Sequence, residues 1–219
     1  TIVGVPSKPT ITTSLTSPTC AVSLPYSMTI NWSSTANTQY LVQYKKDSGS
    51  WIDSPNGWKA VGSNSDTFNI ETGGSDYGGV YSFQLQARSS ISTSCVSNWS
   101  DTVSFTIILT PNQITLAGTP VNDNPDSDGN VIYNWTAITN TNAIAYEIYM
   151  DTNASPITSY KTGIANISTN YNAQSDGKTA LTDGTYYWKI RASRTINTYT
   201  CTGTWSSINS FIVTSGCTP

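Results

Sequence analysis

The chain contains no histidine, so it lacks the side chain that most often serves as a general base and as a transition-metal ligand. Charged residues are scarce, at 11%, and a net charge of −3 provides no basic face for nucleic acid. No apolar run approaches the ~20 residues of a membrane-spanning helix. These absences argue against histidine-dependent catalysis, nucleic-acid binding and a membrane span.

The serine, cysteine and carboxylate side chains of the chain do not form a recognisable catalytic arrangement. A serine or cysteine nucleophile would have no histidine to accept its proton. The carboxylates are scattered through polar loops, whereas a glycosidase needs two of them facing each other across a cleft. We therefore predict that the chain is not an enzyme and needs no cofactor.

The four cysteines stand at positions 20, 95, 201 and 217, and no two of them form the C-x-x-C pair of a zinc site. Cysteines in a chain without histidine and with few lysines and glutamates are typical of an oxidising environment. The sequence therefore predicts an extracellular protein, either secreted or held at the cell surface.

What the chain does contain is serine, threonine, asparagine and 11% aromatic residues, in short runs that alternate between apolar and polar side chains. A period of two is typical of β-strands, because successive side chains point to opposite faces of a sheet. Turn-forming stretches separate the runs: DSG (47–49), SPNG (54–57), TGGSDYGG (72–79), SDG (127–129) and TDG (182–184). No helical period is visible, so we expect an all-β fold.

The same pattern occurs twice along the chain. The aligned pairs are VYSFQLQARS (80–89) with TYYWKIRASR (185–194), SMTINWS (27–33) with VIYNWT (131–136), YLVQY (40–44) with YEIYM (146–150), and SNWSDTVSFTI (97–107) with GTWSSINSFIV (203–213). Trp32 precedes Ala87 by 55 residues, and Trp135 precedes Ala192 by 57. The chain is therefore a tandem duplication of one unit.

The alternation places a set of aligned aromatic side chains on the inward faces of the strands. Its members are Trp32, Trp135, Tyr40, Tyr146, Tyr81, Tyr186 and Trp188. An exposed row of such rings would suggest sugar stacking, but the inward phase predicts that they form the core.

Each unit has about seven short strands in roughly 100 residues, which is typical of a β-sandwich. We predict two tandem seven-stranded sandwiches, residues 6–109 and 113–219, the second ending in a cysteine tail. Residues 1–5 form an N-terminal extension. Pro111 breaks strand pairing at the boundary, so residues 110–112 form a short, stiff linker.

The Trp-bearing strand, the Tyr-led strand, LTDGTYYWKIRAS (181–193) and TWSSINSFIV (204–213) together resemble the fibronectin type III sandwich, in the form found in bacterial extracellular proteins. The resemblance extends from about Pro6 to Val213 and is closer in the second unit, because TGGSDYGG (72–79) departs from the pattern in the first. It implies two fibronectin type III-like sandwiches and an extracellular location. It implies no particular activity, because such sandwiches serve as spacers, adhesins, receptors and filament subunits.

The topology that this resemblance implies places each cysteine at one end of a sandwich. Cys20, between the first two strands, and Cys201, in the loop between the last two strands of the second unit, lie where the linker joins the units, so an intrachain disulfide is expected. Cys95 and Cys217 would lie at the two outer ends. A strand spans about 30 Å, whereas a disulfide needs Cα atoms within about 7 Å, so these two can pair only between chains.

This arrangement predicts a structural subunit that polymerises head to tail into a surface filament, with an interchain Cys95–Cys217 disulfide at each junction. The N-terminal TIVGVP (1–6) can be interpreted as a strand added to a neighbour, although each unit already has its own last strand. The alternative is local cysteine pairing in a fragment of a larger surface protein that acts as an adhesion or carbohydrate-binding module.

Four tryptophans fall outside the inward pattern. Trp51 and Trp58 flank SPNG (54–57) and are the candidate contacts for a glycan, a host-surface ligand or a neighbouring subunit; alternatively they cap an open end of the first sandwich. Trp99 and Trp205 each precede a serine and stand near outward arginine or lysine side chains, which predicts cation–π stacking.

A calcium loop is one interpretation of VNDNPDSDGNV (121–131). Asn124, Asp126 and Asp128 stand at alternate positions before a glycine, as in the opening of such a loop. Trp135 occupies the position of the bidentate glutamate, however, and a polar turn explains the same residues.

Asn-x-Ser/Thr triplets mark possible glycosylation sites. They include Asn31, Asn98, Asn134 and Asn166. A chain so rich in asparagine, serine and threonine contains several such triplets by chance, so their presence alone does not indicate glycosylation.

Overall fold

The computed structural model describes residues 4–14, 17–21, 25–70, 78–117, 121–122, 131–136, 138, 144–164, 170–172, 176–179 and 181–214. The chain divides into two compact units, Thr1–Leu109 and Thr110–Pro219. Within the described residues, no helix is long and apolar enough to cross a membrane. Strands packed in several sheets confirm the prediction of an all-β fold.

The first unit contains two sheets. Its strands are β1 (Thr19–Ala21), β2 (Tyr26–Asn31), β3 (Thr38–Lys46), β4 (Ile52–Asp53), β5 (Ser65–Ile70), β6 (Gly78–Ser89) and β7 (Val103–Leu109). The larger sheet has the order β1-β7-β6-β3-β4, and β2 pairs with β5 in the smaller one. An isolated bridge between Ile11 and Trp32 extends the smaller sheet.

The second unit follows the same plan. Its strands are β8 (Val121–Asn122), β9 (Val131–Asn134), β10 (Ile144–Asp151), β11 (Ser159–Ile164), β12 (Asn170–Asn172), β13 (Gly184–Ile196), β14 (Tyr199–Thr202) and β15 (Asn209–Val213). The larger sheet has the order β11-β10-β13-β14, and β15 also pairs with β13. The smaller sheet has the order β12-β9-β8, and Leu116 bridges Trp135 as Ile11 bridges Trp32.

Each unit has a separate aromatic core, and the predicted inward residues lie in it. All seven aromatic residues of the predicted set are buried. In the first core, Phe83 stacks on Phe105 with 5.3 Å between ring centroids; in the second, Tyr133 meets Trp188 edge to face at 5.0 Å. Full burial of a large apolar side chain stabilises a fold by roughly 1.5–3 kcal/mol, so these rows hold the facing sheets together.

The structure places Cys20 inside a strand rather than between strands as predicted. The chain runs beside β2 at Ile11, then crosses to the other sheet, where β1 pairs parallel to β7 and Cys20 faces Ile108 in register. The first strand is therefore split between the two sheets. Two short halves gave no continuous alternating run from which β1 could be recognised.

Cys201 also lies in a strand rather than in a loop. The hairpin after β13 continues as β14, in which Cys201 pairs with Arg194. Gly203 follows, and a Cβ atom there would lie 2.5 Å from the carbonyl oxygen of Pro111. Glycine thus allows the start of the second unit to pack directly against its own hairpin.

Candidate functional site

The structure contains a disulfide between Cys20 and Cys201. Cys201 is buried, with 1% of its surface exposed. Cys95 lies in the loop after β6, half-buried, and its N–H donates to the carbonyl of Ser92 at 3.0 Å. Cys217 lies outside the described residues, so its pairing with Cys95 stays a prediction.

A tryptophan packed against two cations lies on the outer face of the second unit. The Trp205 ring centroid is 4.3 Å from the guanidinium carbon of Arg191 and 4.9 Å from Lys189 Nζ. Tyr149 packs against the same ring, with 4.4 Å between centroids. Glu147 forms an ion pair with Arg191. We call these five residues the Trp205 stack, and they confirm the predicted cation–π stacking at this position.

Strand pairing builds the Trp205 stack. In register, Glu147 faces Arg191 and Tyr149 faces Lys189 across β10 and β13, and the alternate residues of β13 are buried. Cross-strand pairs contribute about 0.2–1 kcal/mol each, and an exposed cation–π contact about 0.5–1 kcal/mol. The Trp205 stack therefore stiffens the middle of this sheet, because its charged side chains find their ion-pair and ring partners within the stack.

A serine anchors the chain directly after the tryptophan in both units. Ser206 Oγ accepts the N–H of Ile190 at 3.1 Å, and the Ser206 N–H donates to the Ile190 carbonyl at 2.8 Å. Ser100 makes the same two bonds with Leu85, at 2.9 and 2.8 Å. The two units therefore hold the preceding tryptophan at equivalent points of the fold.

The side chains beside Trp99 differ from those beside its counterpart. Gln84 and Gln86 occupy the β6 positions that align with Lys189 and Arg191. Gln84 Nε2 donates to Gln43 Oε1 at 2.8 Å, and Gln86 Nε2 donates to a loop carbonyl at 3.0 Å. No cation of the described residues lies over the Trp99 ring, so the predicted cation–π stacking at Trp99 is wrong.

Trp51 and Trp58, the predicted ligand contacts, are both half-buried. Lys45 Nζ lies 5.0 Å from the Trp51 ring centroid, and the Arg88 guanidinium carbon lies 4.2 Å from that of Trp58. Arg88 Nε also donates to Gln39 Oε1 at 2.9 Å. A cation of the chain therefore already lies over each ring, and the binding role of both tryptophans stays a prediction.

A buried polar cluster at the SPNG turn was missed by the sequence analysis. Asp66 in β5 has a fully buried carboxylate, to which the Ser54 hydroxyl donates. Asn56 Nδ2 donates to it at 2.7 Å, and Lys59 Nζ lies 3.3 Å away. We call these four residues the Asp66 latch. It joins the edge segment beyond β4 in one sheet to β5 in the other.

The turn geometry and the strand pattern explain how the latch forms. The Gly57 N–H donates to the Ser54 carbonyl at 2.9 Å, and Gly57 has a φ of 61°, a conformation that favours glycine. In the run SDTFNI (65–70), Asp66 shares its phase with the buried Phe68 and Ile70. A carboxylate that points into the core needs hydrogen-bonding partners. The inward position of Asp66 in the alternating run was therefore the sequence feature from which this cluster could have been predicted.

The β10–β11 hairpin of the second unit contains two groups with shifted pKa values. Burial alone raises the pKa of Asp151, but the backbone N–H groups of Ile157, Asn153 and Thr158 outweigh it and hold the pKa below its ordinary value. Burial raises the pKa of the Tyr160 phenol. The Asp151 carboxylate thus acts as the acceptor that closes the hairpin loop.

The predicted calcium ligands Asn124, Asp126 and Asp128 lie outside the described residues. Elsewhere, in the part of the chain that the structure describes, no cluster of three carboxylate or cysteine side chains is placed to hold a metal ion.

The candidate glycosylation sites differ in exposure. Asn31 and Asn98 are exposed, and Asn134 is half-buried. Asn166 lies outside the described residues. Modification of any of them stays a prediction.

Comparison with known proteins gives similarity only at the level of structure. No protein-family model matches the chain, and no curated protein matches it. Among solved structures, 277 chains match, including the crystal structure of chicken CNTN1 FN1-FN3 domains, at 14% sequence identity and a TM-score of 0.38. The match covers 94% of this chain and 66% of that one. The strand order described above shows an all-β fold with several sheets, and the resemblance to the fibronectin type III sandwich, with its bacterial form, stays a prediction.

Proposed function

We propose that the chain is a non-enzymatic extracellular structural protein whose copies assemble head to tail into a surface filament. The observation that carries the proposal is the Cys20–Cys201 disulfide. Disulfides persist in oxidising compartments and are rare where thiols are kept reduced. The all-β fold and the disulfide are both compatible with an extracellular module.

The polar clusters support a mechanical role rather than a chemical one. In the Trp205 stack, the cations face a ring and a carboxylate of the same chain. In the Asp66 latch, the carboxylate accepts hydrogen bonds from neighbouring side chains of the same unit. Such arrangements stabilise and stiffen a sandwich, and they suit a load-bearing subunit.

The tandem repeat supports assembly. Two units with the same fold present related surfaces, and a contact between unlike surfaces of successive copies does not close on itself. The predicted Cys95–Cys217 disulfide would make each such junction covalent. Filament growth therefore needs no further protein in this proposal.

Gel electrophoresis with and without reductant tests the interchain disulfide. We expect a ladder of multimers from the purified oxidised chain that collapses to one band with reductant. Cys217→Ser should abolish the ladder. A double variant, Cys20→Ser with Cys201→Ser, is the matched control and should keep it. A single monomer band in both lanes for the wild-type chain would contradict covalent polymerisation.

An adhesion or carbohydrate-binding module is the second candidate. It is favoured by a row of linked amides on β3 and β6, the strand pair whose Lys45 lies over Trp51 and whose Arg88 lies over Trp58. Gln84 donates to Gln43, whose own Nε2 donates to Asp53 Oδ1 at 2.7 Å. Fixed amides beside aromatic rings are the groups that recognise sugar hydroxyls and sugar faces.

A glycan-binding screen separates the two candidates. If the first unit binds carbohydrate, Trp51→Ala and Trp58→Ala should each remove binding that the wild-type chain shows. Trp205→Ala is the control, because its ring lies in the second unit. Binding that survives both substitutions, or no binding by the wild-type chain, would refute the carbohydrate role.

A further inference from the structure

The edges of the larger sheets are protected to different degrees. An unprotected edge strand presents unpaired N–H and C=O groups to which another strand can add. In the first unit, the edge strands β1 and β4 have three and two residues. In the second unit, the edge strand β11 carries Lys161 and shifts register against β10. Short length, charge and irregular pairing all discourage added strands.

β15 has none of these protections. Its five residues, NSFIV, include no charge and no proline. It pairs with β13 along one side, and no strand of the described residues lies along its other side. Ile212, the fourth of its five residues, points outward with 69% of its surface exposed.

The equivalent edge in the first unit is covered. Phe105 aligns with Phe211, so Thr106 aligns with Ile212. Thr106 is only 4% exposed, and its N–H donates to Ser17 Oγ at 3.1 Å. From Ile107 to Leu109, β1 pairs parallel to β7 along this edge. The edge is thus covered by β1 in the first unit, whereas no strand among the described residues covers it in the second.

We propose that the open edge of β15 accepts residues 1–6, TIVGVP, of a second copy as an added strand, parallel to β15 as β1 is to β7. This inference rests on the proposed head-to-tail assembly and identifies its contact. Threonine, isoleucine and valine favour strands, and the segment has no charged side chain to repel the apolar edge. Val5 is 65% exposed, and Pro6 ends the possible pairing because it has no N–H.

The stoichiometry agrees with a filament. Each copy has one such segment and, of the two C-terminal strands β7 and β15, only β15 has no described strand along its other side. The first unit already fills its equivalent edge with β1. A donor that pairs with an acceptor on a different surface gives an open chain of copies. Backbone hydrogen bonds along the added strand would supply the affinity, and the contact at Ile212 would fix the register.

Sedimentation velocity of the full chain in reductant tests the added strand without the interchain disulfide. We expect the wild-type chain to associate as its concentration rises. Ile212→Lys and Val5→Asp should each weaken association by about tenfold or more, since one charged group would then be buried in the contact. Ile157→Lys and Ser7→Asp are the matched controls, because both residues are exposed outside the proposed contact.

Hydrogen exchange locates the contact independently. Association should slow exchange of the amides of Asn209–Val213, and a synthetic TIVGVP peptide added in excess should do the same at low protein concentration. Association that is equally strong in Ile212→Lys overturns the added strand while leaving a filament intact. If the wild-type chain does not associate in reductant, assembly without the interchain disulfide is excluded, and the disulfide-linked filament is decided by the oxidised gel. The peptide then tests the added strand by itself: unchanged exchange in β15 overturns it.

Discussion

Trp99 and Trp205 occupy the same point of the fold in the two units, but they have different neighbours. The serine after each tryptophan binds the adjacent strand in the same way. Lysine and arginine then cover the second ring, whereas glutamines stand at the aligned positions of the first unit. The backbone framework is therefore shared, and the outward side chains decide whether the sheet surface is a closed stack or a row of amides.

The C-terminal strands of the larger sheets show a second difference. β7 is covered by β1, whereas β15 has an open side among the described strands. In the first unit this edge is therefore covered, whereas in the second no described strand covers it. Under the proposed assembly, only the second unit would accept a strand from another copy.

The largest expected effect concerns the Asp66 latch. Asp66→Ala leaves Ser54, Asn56 and Lys59 without their shared acceptor, so we expect a loss of roughly 2–4 kcal/mol in the free energy of unfolding. Urea unfolding of the full chain measures it. Asp176→Ala is the control from the second unit, where the carboxylate is 34% exposed and binds Lys161; its loss should stay below about 1 kcal/mol. Equal losses would contradict the structural role of the latch.

The two surface tryptophans give the next effect. Trp205→Ala removes contacts with two cations and a tyrosine, whereas Trp99→Ala removes no cation contact that the structure describes. We expect Trp205→Ala to cost about 1–2 kcal/mol more than Trp99→Ala. Thermal unfolding of both variants checks this difference, and the reverse order would refute the stabilising role of the Trp205 stack.

The stack can also be transferred to the first unit. Gln84→Lys with Gln86→Arg places the cations of the second unit beside Trp99. If the framework is equivalent, stability should rise by about 0.5–1 kcal/mol, and this gain should be lost when Trp99→Ala is added. A gain that persists without the ring would show that general surface charge, rather than stacking, is responsible.

The smallest effect is the pH dependence of the β10–β11 hairpin. The pKa of Asp151 is lower in the folded chain than its ordinary value of 3.8, so ionised Asp151 stabilises the fold above that value. This contribution disappears as the pH falls through the folded pKa. Asp151→Ala should therefore lower stability by less than about 1 kcal/mol at pH 6, because the group is largely exposed. The difference from the wild-type chain should vanish once the pH lies below the folded pKa of Asp151.

The repeat, the all-β fold and the buried rows followed from the sequence because they depend on local alternation. Tyr146 and Trp188, for example, were placed inward by period alone and are fully buried. The split first strand was not predictable in this way. β1 has three residues, and its pairing with β7 depends on where the chain crosses between sheets.

In the candidate site, too, the features that depend on local alternation could be predicted, and those that depend on distant parts of the sequence could not. Lys189 and Arg191 alternate on one strand, so stacking on Trp205 could be predicted from their phase. The same reasoning failed at Trp99, because Arg88 packs on Trp58, which a turn brings in from a distant part of the sequence. The Asp66 latch was missed for a similar reason: its members come from a turn and from a strand of the facing sheet.

Electron microscopy of the purified chain tests the central claim most directly. In oxidising buffer, the wild-type chain should form unbranched filaments many copies long. The Ile212→Lys variant carrying Cys217→Ser should remain as separate particles. Dispersed wild-type particles at every concentration, or filaments unaffected by both substitutions, would contradict head-to-tail assembly through these contacts.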